Sequence, residues 1–556
     1  MAGGAILSPQ HKRANQYTGR FTFFSFITIV CGATTGLLLG YDNGVMGGVV
    51  THRDFQKMFF PTVYEHSVHP DPLGSDPVKA AYCKYDDQLL QLTVSCLYLS
   101  AMVGAFGSEL SRPLGRKIPL IFAGMTFVVG AAIMAASVHL AMVIVGRLIL
   151  GLGVGVGTTV GPIYLAEMAP AKLRGTLNVI FQLMVTIGIL VAGCINLGAR
   201  NIHPWGWRLP LAIAAVPGFI ILIAGVILPE SPSSLAEHGR VDEAKKVLQR
   251  ARGVDNVEIE LEDILEAARQ SRMIKNPYMT IMKRKYRPQF IIACIFMIFQ
   301  QFDGINAIIF YAPVLFEQIA GGATGSLLST VVVDVVNVAA TFGAIAFVDR
   351  LGRRKLLIIA SIWMFVTQII IAGLLGAEFQ KHGAVLPSNV SVGVIVLICI
   401  YICGHAYGWG PIGWLYPTEI QPLETRAAGA GINVASNMLF TFVIGQCFTT
   451  MLCSMRYGVF LFFAGCLVLA GLTTYLLFPE TSGIPVEQTH TVFKDHWAWP
   501  RLYPEILQVH AQDAPSLENG RPKDVQMGKA GQNGVSGGVN GTNGATAPTT
   551  TAKTTM

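Results

Sequence analysis

Apolar runs of about 20 residues recur along this chain, and polar turns separate them. Their cores fall at 21–41, 88–109, 118–137, 141–164, 176–198 and 209–228, then at 288–317, 325–348, 356–377, 391–416, 427–450 and 457–478. A helix rises about 1.5 Å per residue, so each run is long enough to cross the hydrocarbon of a bilayer. Twelve such runs predict an all-α membrane protein of the helical-bundle class. Residues 229–287 interrupt the series. They are polar and helix-forming ("GRVDEAKKVLQRARG", "VEIELEDILEAARQ"), and they predict a helical linker on the cytoplasmic side. The tail 479–556 turns rich in Gly, Asn and Thr ("GQNGVSGGVNGTNGATAPTTTAKTT"). Such a composition buries too little apolar surface to fold and predicts a largely disordered segment.

Composition sharpens this picture. Of the 556 residues 52% are hydrophobic and 13% charged, and the mean hydropathy is +0.51. Soluble domains carry about 25% charged residues, so a soluble enzyme is excluded. No nucleophile–base pair and no metal-ligand spacing stands out. The net charge of +7 is modest and implies no nucleic-acid partner. The N-terminus is polar through Arg20, and the run after it is too long for a cleaved signal peptide. Of the 40 Lys and Arg, 31 fall in the alternate segments that share a side with both termini, and eight fall on the other. This bias predicts cytoplasmic termini, an N-tail at 1–20 and an extracellular loop at 51–87.

The two sets of spans echo each other. "RPLGRK" (112–117) returns as "RLGRRK" (350–355), and "LPES" (228–231) returns as "FPET" (478–481). Glu167, Pro170 and Arg174 keep the spacing of Glu419, Pro422 and Arg426. The offset stays near about 250 residues, the mark of two pseudo-symmetric six-helix halves (21–228 and 288–478). That duplication is typical of transporters with a substrate site between the halves near mid-membrane. Arg116, Arg174 and Glu230, with Arg353, Glu419, Arg426 and Glu480, are expected to form charge clusters that gate the inner face.

The stretch "LLLGYDNGVMGG" (37–48) puts Asp42 inside the first span. A charge at the bilayer centre costs upward of about 2.5 kcal/mol, so it needs a partner, a cavity or a proton. The other intramembrane charges near it in the first half are Arg147 and Glu167. Arg stays protonated, yet it is able to switch between carboxylates. We therefore expect Asp42 to take the proton, and Arg147 to pair alternately with Asp42 and Glu167. A static ion pair is the plain alternative. Gly44, Gly47 and Gly48 allow close helix approach or a kink.

Neutral amides both donate and accept, which suits a polyhydroxylated ligand. They sit on several spans. Gln182, Thr186 and Ile189 share one face of span five. Gln300 and Gln301 precede Gly304 and Asn306 in span seven, and the glycine suits a helix break there. Asn337 stands in span eight, Trp414 follows "GWGPIG" in span ten, and Asn433, Asn437 and Thr441 lie along span eleven. Interhelical hydrogen bonding is the competing reading for any one of them, and we keep it for Asn433. "GLGVGVG" (151–157) lies within a span with no strand before it, so it is read as close helix packing and not as a nucleotide loop. His405 is read as a packing residue. Of ten cysteines, Cys83 and Cys453 fall in segments placed outside, where a disulfide is able to form.

"DRLGRRK", "LPESP", "QQFDGINAIIFYAPVLF", "GWGPIGWLYPTEI", "ETRAAG" and "FPETSGIPVE" together resemble the sugar-porter branch of the major facilitator superfamily. "KYDDQLLQLTVSCLYLSA" and "TTMLCSMRYGVFLFFAG" are similar to its green-algal and plant hexose–proton symporters. The resemblance covers about residues 17–490. It implies the major facilitator fold, alternating access, uptake of a hexose such as glucose or galactose across the plasma membrane, and a proton as coupling ion with no other cofactor. It implies proton-coupling roles for Asp42, Arg147 and Glu167. It implies sugar contacts from Gln182, Ile189, Gln300, Gln301, Asn306, Asn337, Trp414, Asn437 and Thr441. Asn43 adjoins the proton site, and plant relatives carry Leu where algal ones carry Asn. It is placed either to couple protonation to sugar contact or to tune which hexose fits. The resemblance further implies a Cys83–Cys453 bond that ties a lid over the outer mouth. Facilitative carriers have Asn where this chain has Asp42, which speaks against an uncoupled uniporter; a sugar receptor ranks below both. The chain departs from the pattern at Ser111, Asp303 and Asp334. The two acids are expected to face water or a polar neighbour.

Overall fold

The structure is a computed structural model that describes residues 19–20, 22–68, 83–170, 174–274, 276–319, 323–382, 387–422, 425–482 and 489–504. The first half holds α1 (Phe23–Val50), α2 (Gln88–Ala105), α3 (Lys117–Ala135), α4 (Leu140–Met168), α5 (Arg174–Ala199) and α6 (Arg208–Ile227). The linker forms α7 (Pro232–Glu237), α8 (Val241–Arg252) and α9 (Glu258–Met273). The second half holds α10 (Arg287–Phe302), α11 (Ile305–Ile319), α12 (Ala323–Leu351), α13 (Arg353–His382), α14 (Ser388–Tyr407), α15 (Trp409–Ile420), α16 (Arg426–Met455) and α17 (Gly458–Leu477). Eleven helical stretches among the described residues are long and apolar enough to cross a membrane. A twelfth span results when Arg284–Phe302 and Ile305–Tyr311, bent by 46°, count as one. Large apolar side chains such as Ile223, Ile362 and Leu472 stay exposed on these spans, the inverse of a water-soluble surface.

Small residues set how closely the helices meet. A Cβ at Gly40 would lie 1.9 Å from the Val185 carbonyl oxygen, so α1 and α5 touch backbone to backbone. The glycines of α4 serve two neighbours. A Cβ at Gly155 would collide with Ala101 of α2, and one at Gly153 with Ala123 of α3. Helix α1 runs on through the glycine-rich stretch, and of the two uses expected for its glycines the close approach is seen: a Cβ at Gly44 would lie 2.8 Å from the Ile189 carbonyl oxygen of α5. Span seven does break, at Asp303–Gly304, where Gly304 has φ +94°. A left-handed residue ends α10 there and lets α11 restart at a new angle.

Two polar segments are anchored more firmly than composition implied. In the linker, Arg252 is buried against Glu260 and donates to the Met168 and Ala169 carbonyls at 2.9 Å each. It thereby satisfies the open C-terminal end of α4. In the tail, Phe493 and Trp499 are buried, and the Trp499 indole donates to the Leu477 carbonyl at 2.8 Å. The tail therefore contains a docked stretch at 489–504; residues 505–556 lie outside the described residues. At the outer end, Cys83 and Cys453 are joined by a disulfide that links the end of the first outer loop to α16. Residues 69–82 of that loop lie outside the described residues.

Candidate transport site

Asp42 and Arg147 meet in the core of the first half. Arg147 Nη1 lies 3.3 Å from Asp42 Oδ1, and Nη2 lies 3.3 Å from Oδ2. Both side chains are essentially sealed from solvent, at 0% and 1% exposure. Arg147 Nη2 also donates to the Val94 carbonyl at 2.7 Å, so the guanidinium keeps one partner if the carboxylate is lost. The two-pronged geometry offsets the cost of burying both charges, and removing either partner alone would leave a buried ion.

Glu167 is not part of this pair. It lies twenty residues beyond Arg147 on the same unbroken helix, a distance of about 30 Å at 1.5 Å per residue. No side-chain swing closes that gap, so the expected exchange of Arg147 between Asp42 and Glu167 is corrected. Glu167 instead binds Arg116 at 2.9 Å and accepts from the Ser231 hydroxyl.

Next to the ion pair a buried cavity of about 540 Å³, open space included, lies between the halves. Asn43, Gln182, Ile189, Gln300, Gln301, Asn306, Asn337, Trp414, Asn437 and Thr441 all line it. Asn433 does not, and its buried Oδ1 has no hydrogen-bond partner among the described residues, so the interhelical bond expected of it is not seen at that atom. The amides are fixed by bonds that leave other polar groups unused. Trp414 donates to Gln182 Oε1 at 2.9 Å, Asn437 donates to Gln300 Oε1 at 2.8 Å, and Gln300 donates to the Trp409 carbonyl at 2.8 Å. Asn306 donates to Gln301 Oε1. Asn337 Oδ1 is buried with no hydrogen-bond partner among the described residues. The glycines of "GWGPIG" make room: a Cβ at Gly413 would lie 2.3 Å from Gln300 Nε2.

Three features escaped the sequence reading. Tyr98 lines the cavity and donates to Asn43 Oδ1 at 2.7 Å, which leaves the Asn43 amide nitrogen for other work. His405 lines it too, 2.8 Å from Asp303. Asp303 thus has a polar neighbour, whereas Asp334 is buried with Oδ2 unpartnered among the described residues and aimed at Gly193 of α5. Its expected exposure to water or a polar neighbour is corrected. Signals existed for Tyr98 and His405, since each is a polar ring inside an apolar run. Just beyond α1, His52 and Asp54 meet the distant His203, with ligand-type atoms within 4.8 Å of one another.

The inner clusters repeat in the two halves. Arg116 binds Glu167, and Arg353 binds Glu419 at 2.9 Å. Glu230 accepts from the backbone N–H of Arg116 and Lys117, and Glu480 from those of Arg353 and Arg354. Each carboxylate therefore sits on the N-terminus of a helix, α3 or α13. Gly115 and Gly352, at φ +79° and +83°, make the turn, and a Cβ on either would strike that carboxylate. The Arg116 cluster also includes Glu237 at 2.7 Å, a residue of α7. These bonds run within each half or to the linker, so they brace the halves individually. The side chain of Arg174 lies outside the described residues, and Arg426 opens α16.

Comparison with known proteins agrees. The family described as "Sugar (and other) transporter" matches residues 28–493. Sugar transport protein MST3 of Oryza sativa subsp. japonica is 46% identical over 506 residues, 90% of this chain and 96% of the relative. H(+)/hexose cotransporter 2 of Parachlorella kessleri is 44% identical over 509 residues, 90% of this chain and 93% of the relative. Among solved structures, the proton:xylose symporter XylE bound to 6-bromo-6-deoxy-D-glucose has a TM-score of 0.70 at 24% identity, over 85% of this chain and all of that one. That likeness establishes the fold, twelve helical spans in the major facilitator arrangement. Sealed charges, a cavity lined with amides between two repeated halves and matches along nine-tenths of the chain lead to one conclusion: this is a multi-pass membrane protein of the sugar transporter family, a transporter and not an enzyme.

Proposed function

We propose that this chain is a hexose–proton symporter of the plasma membrane that works by alternating access, with both termini in the cytoplasm. The observation that carries this reading is the adjacency of Asp42 and Asn43. One belongs to the sealed ion pair, and the next residue lines the cavity. A proton arriving at Asp42 from outside neutralises the carboxylate and removes its hold on Arg147. The guanidinium stays on the Val94 carbonyl. Helix α1 then loses its ion pair to α4. It is held by neutral hydrogen bonds such as Tyr98 to Asn43 and Asn196 to the Val45 carbonyl, and by packing, against α5 at Gly40 and against α11 at Gly47, where a Cβ would lie 2.6 Å from the Phe310 carbonyl oxygen. It closes on a hexose bound by the amides of the second half, with Asn43 and Gln182 reaching it from the first. Loss of the proton to the cytoplasm re-forms the pair and resets the carrier.

The lysine and arginine bias supports the cytoplasmic placement of the termini and of the inner clusters. The proton and a monosaccharide are the expected small partners, with lipid around the spans and neither a nucleic acid nor an organic cofactor. The relative named as an H(+)/hexose cotransporter supports the substrate class. The test is uptake of a panel of labelled hexoses into proteoliposomes with and without an imposed pH gradient. Concentrative uptake that an uncoupler abolishes is expected. Uptake that only equilibrates, whatever the gradient, would sink the proton-coupled reading.

A further inference from the structure

Asp303 and His405 form a second buried acid pair, in the other half, and the cycle above does not use it. Asp303 is 1% exposed and lies at the break between α10 and α11. Its Oδ1 accepts from the Ile305 N–H at 2.9 Å, and its Oδ2 lies 2.8 Å from His405 Nδ1. Gln368 and Tyr401 donate to its backbone carbonyl at 2.9 and 2.8 Å, so the residue is held on all sides. A carboxylate oxygen facing Nδ1 can only accept, and this places the imidazole proton on Nδ1. In the neutral ring Nε2 then presents a lone pair.

That lone pair has somewhere to look. A Cβ built on Gly410 would lie 3.2 Å from His405 Nε2 and 3.3 Å from Gln182 Nε2. The two nitrogens are thus at most 6.5 Å apart, both lie beside the Gly410 backbone, and both residues line the same cavity. The orientation of Gln182 is set independently. Trp414 has only a donor to offer, so it takes Oε1 and leaves the Gln182 NH2 pointing at the notch. One side therefore accepts and the other donates. A hydroxyl bridges such a pair of groups with two bonds of about 2.8–3.2 Å, donating to one and accepting from the other. An ammonium or a carboxylate would match only one of them.

We propose that His405 is a sugar-contacting, specificity-determining residue. Its Nε2 accepts from one hexose hydroxyl whose oxygen in turn accepts from Gln182, Asp303 is the positioning residue that fixes the tautomer, and Gly410 is the opening that admits the hydroxyl. This rests on the hexose reading above and adds one subsite to it. A site built to hydrogen-bond a hydroxyl rejects the analogue that lacks it, because both buried partners are then left unpaired.

The experiment measures affinity for a transported hexose and for its monodeoxy analogues, one position at a time, in the full chain and in His405→Phe, His405→Gln, Asp303→Asn and Gly410→Ala. In the unsubstituted protein one deoxy position is expected to bind about tenfold more weakly than the parent sugar. That penalty should fall below about threefold in His405→Phe, and shrink in Asp303→Asn while the penalties at other positions persist. His405→Gln, which keeps an acceptor, should retain part of it. Gly410→Ala should weaken the parent sugar and leave the analogue lacking that hydroxyl least affected. A merely structural role would lower affinity for every sugar alike, so an unchanged pattern of penalties in the histidine variants overturns the subsite. If His405→Phe does not accumulate as folded protein, His405→Gln decides, because full retention of the pattern with a lengthened, unconstrained amide excludes a tautomer-specific contact. Failure of the unsubstituted protein to bind any hexose would instead overturn the substrate reading, a separate outcome.

Discussion

The two halves are alike at the ends that carry the charge clusters and unlike between them. At the inner face each half carries an arginine on a glutamate of its fourth span, and a second glutamate on the N-terminus of its third. Tyr164 and Tyr416 even donate to matching proline carbonyls, Pro229 and Pro479. In the interior the first half holds the permanent charge of Arg147 against Asp42, whereas the second holds most of the amides and the Asp303–His405 pair. Duplication has thus kept the parts that set helix ends, where both halves face the same problem of open N–H groups and stray charge. On the reading proposed above it has divided the chemistry unevenly: fixed charge and the proton on one side, most of the hydroxyl recognition on the other.

Asp42→Asn attacks that division most directly. The neutral amide keeps the shape but has no charge to lose, so proton-driven accumulation is expected to fall to simple equilibration. Exchange of labelled for unlabelled sugar should continue, because the cavity amides remain. Proteoliposome uptake with a pH gradient, beside counterflow without one, separates the two. Equal loss of both would mean that the proton and sugar functions are not divided between the halves.

The next comparison sets Arg116→Ala against Arg353→Ala. Arg116 lies between two carboxylates, Glu167 and Glu237, whereas Arg353 pairs with Glu419. Its loss leaves two like charges side by side. We expect it to cost near the lower end of about 3–5 kcal/mol, since both carboxylates keep some contact with water. Arg353→Ala should cost less, with Thr481 still donating to Glu419 at 2.7 Å. Thermal melting of the two purified variants measures the difference. An equal or reversed order would show that the linker residue Glu237 adds nothing to the first cluster.

Much of this division was legible in the chain, for a physical reason. An acid, an arginine or an amide inside an apolar run is conspicuous, so Asp42, Arg147 and the amides that line the cavity stood out before any geometry was known. Partners were harder, because pairing depends on register along helices whose continuity a sequence does not display. Glu167 was assigned to Arg147 on the strength of both being intramembrane charges, and an unbroken α4 rules that out. The Glu237 and Arg252 contacts come from a linker whose apolar stripe (Ala244, Leu248, Ala251) shows in the chain, but the stripe does not say which charges its docking brings together. Trp499 and Phe493 did leave one, an aromatic cluster ("VFKDHWAWP") in a polar tail, but the glycine-rich composition around it dominated. Asp303 and His405 lie 102 residues apart, and each alone looked ordinary for a packed polar residue.

Cys83→Ser tests whether the halves also depend on each other at the outer end. The disulfide fastens a segment of the first half to α16 of the second. Its removal is expected to cost about 2–4 kcal/mol of thermal stability, and reductant should reproduce the loss in the unsubstituted protein. A variant that melts like the parent would leave the outer ends energetically independent.

The smallest expected effect concerns His52, just beyond the end of α1. Its ring packs near His203, with centroids 5.7 Å apart, and 3.8 Å from Asp54. Burial pushes its pKa below the ordinary imidazole value; Asp54 pulls it back up, and His203 and Arg200 add to the lowering. When the outer cap opens, the imidazole regains an ordinary affinity for protons, near pH 6.5. The opened form then binds more protons than the packed form. The packed form accordingly loses stability as pH falls through that value and toward the lower packed one. The His52 side chain is 7% exposed, and the pull of Asp54 against burial keeps the net effect small. Hydrogen exchange between pH 7.5 and 5 is the measurement: after correction for intrinsic rates, residues 52–60 should lose protection on acidification, and His52→Gln should flatten that loss. Residues 449–457, at the outer end of the second half, should change less. Equal loosening at both outer ends would place the pH response in the shared closure of the halves and not in this histidine.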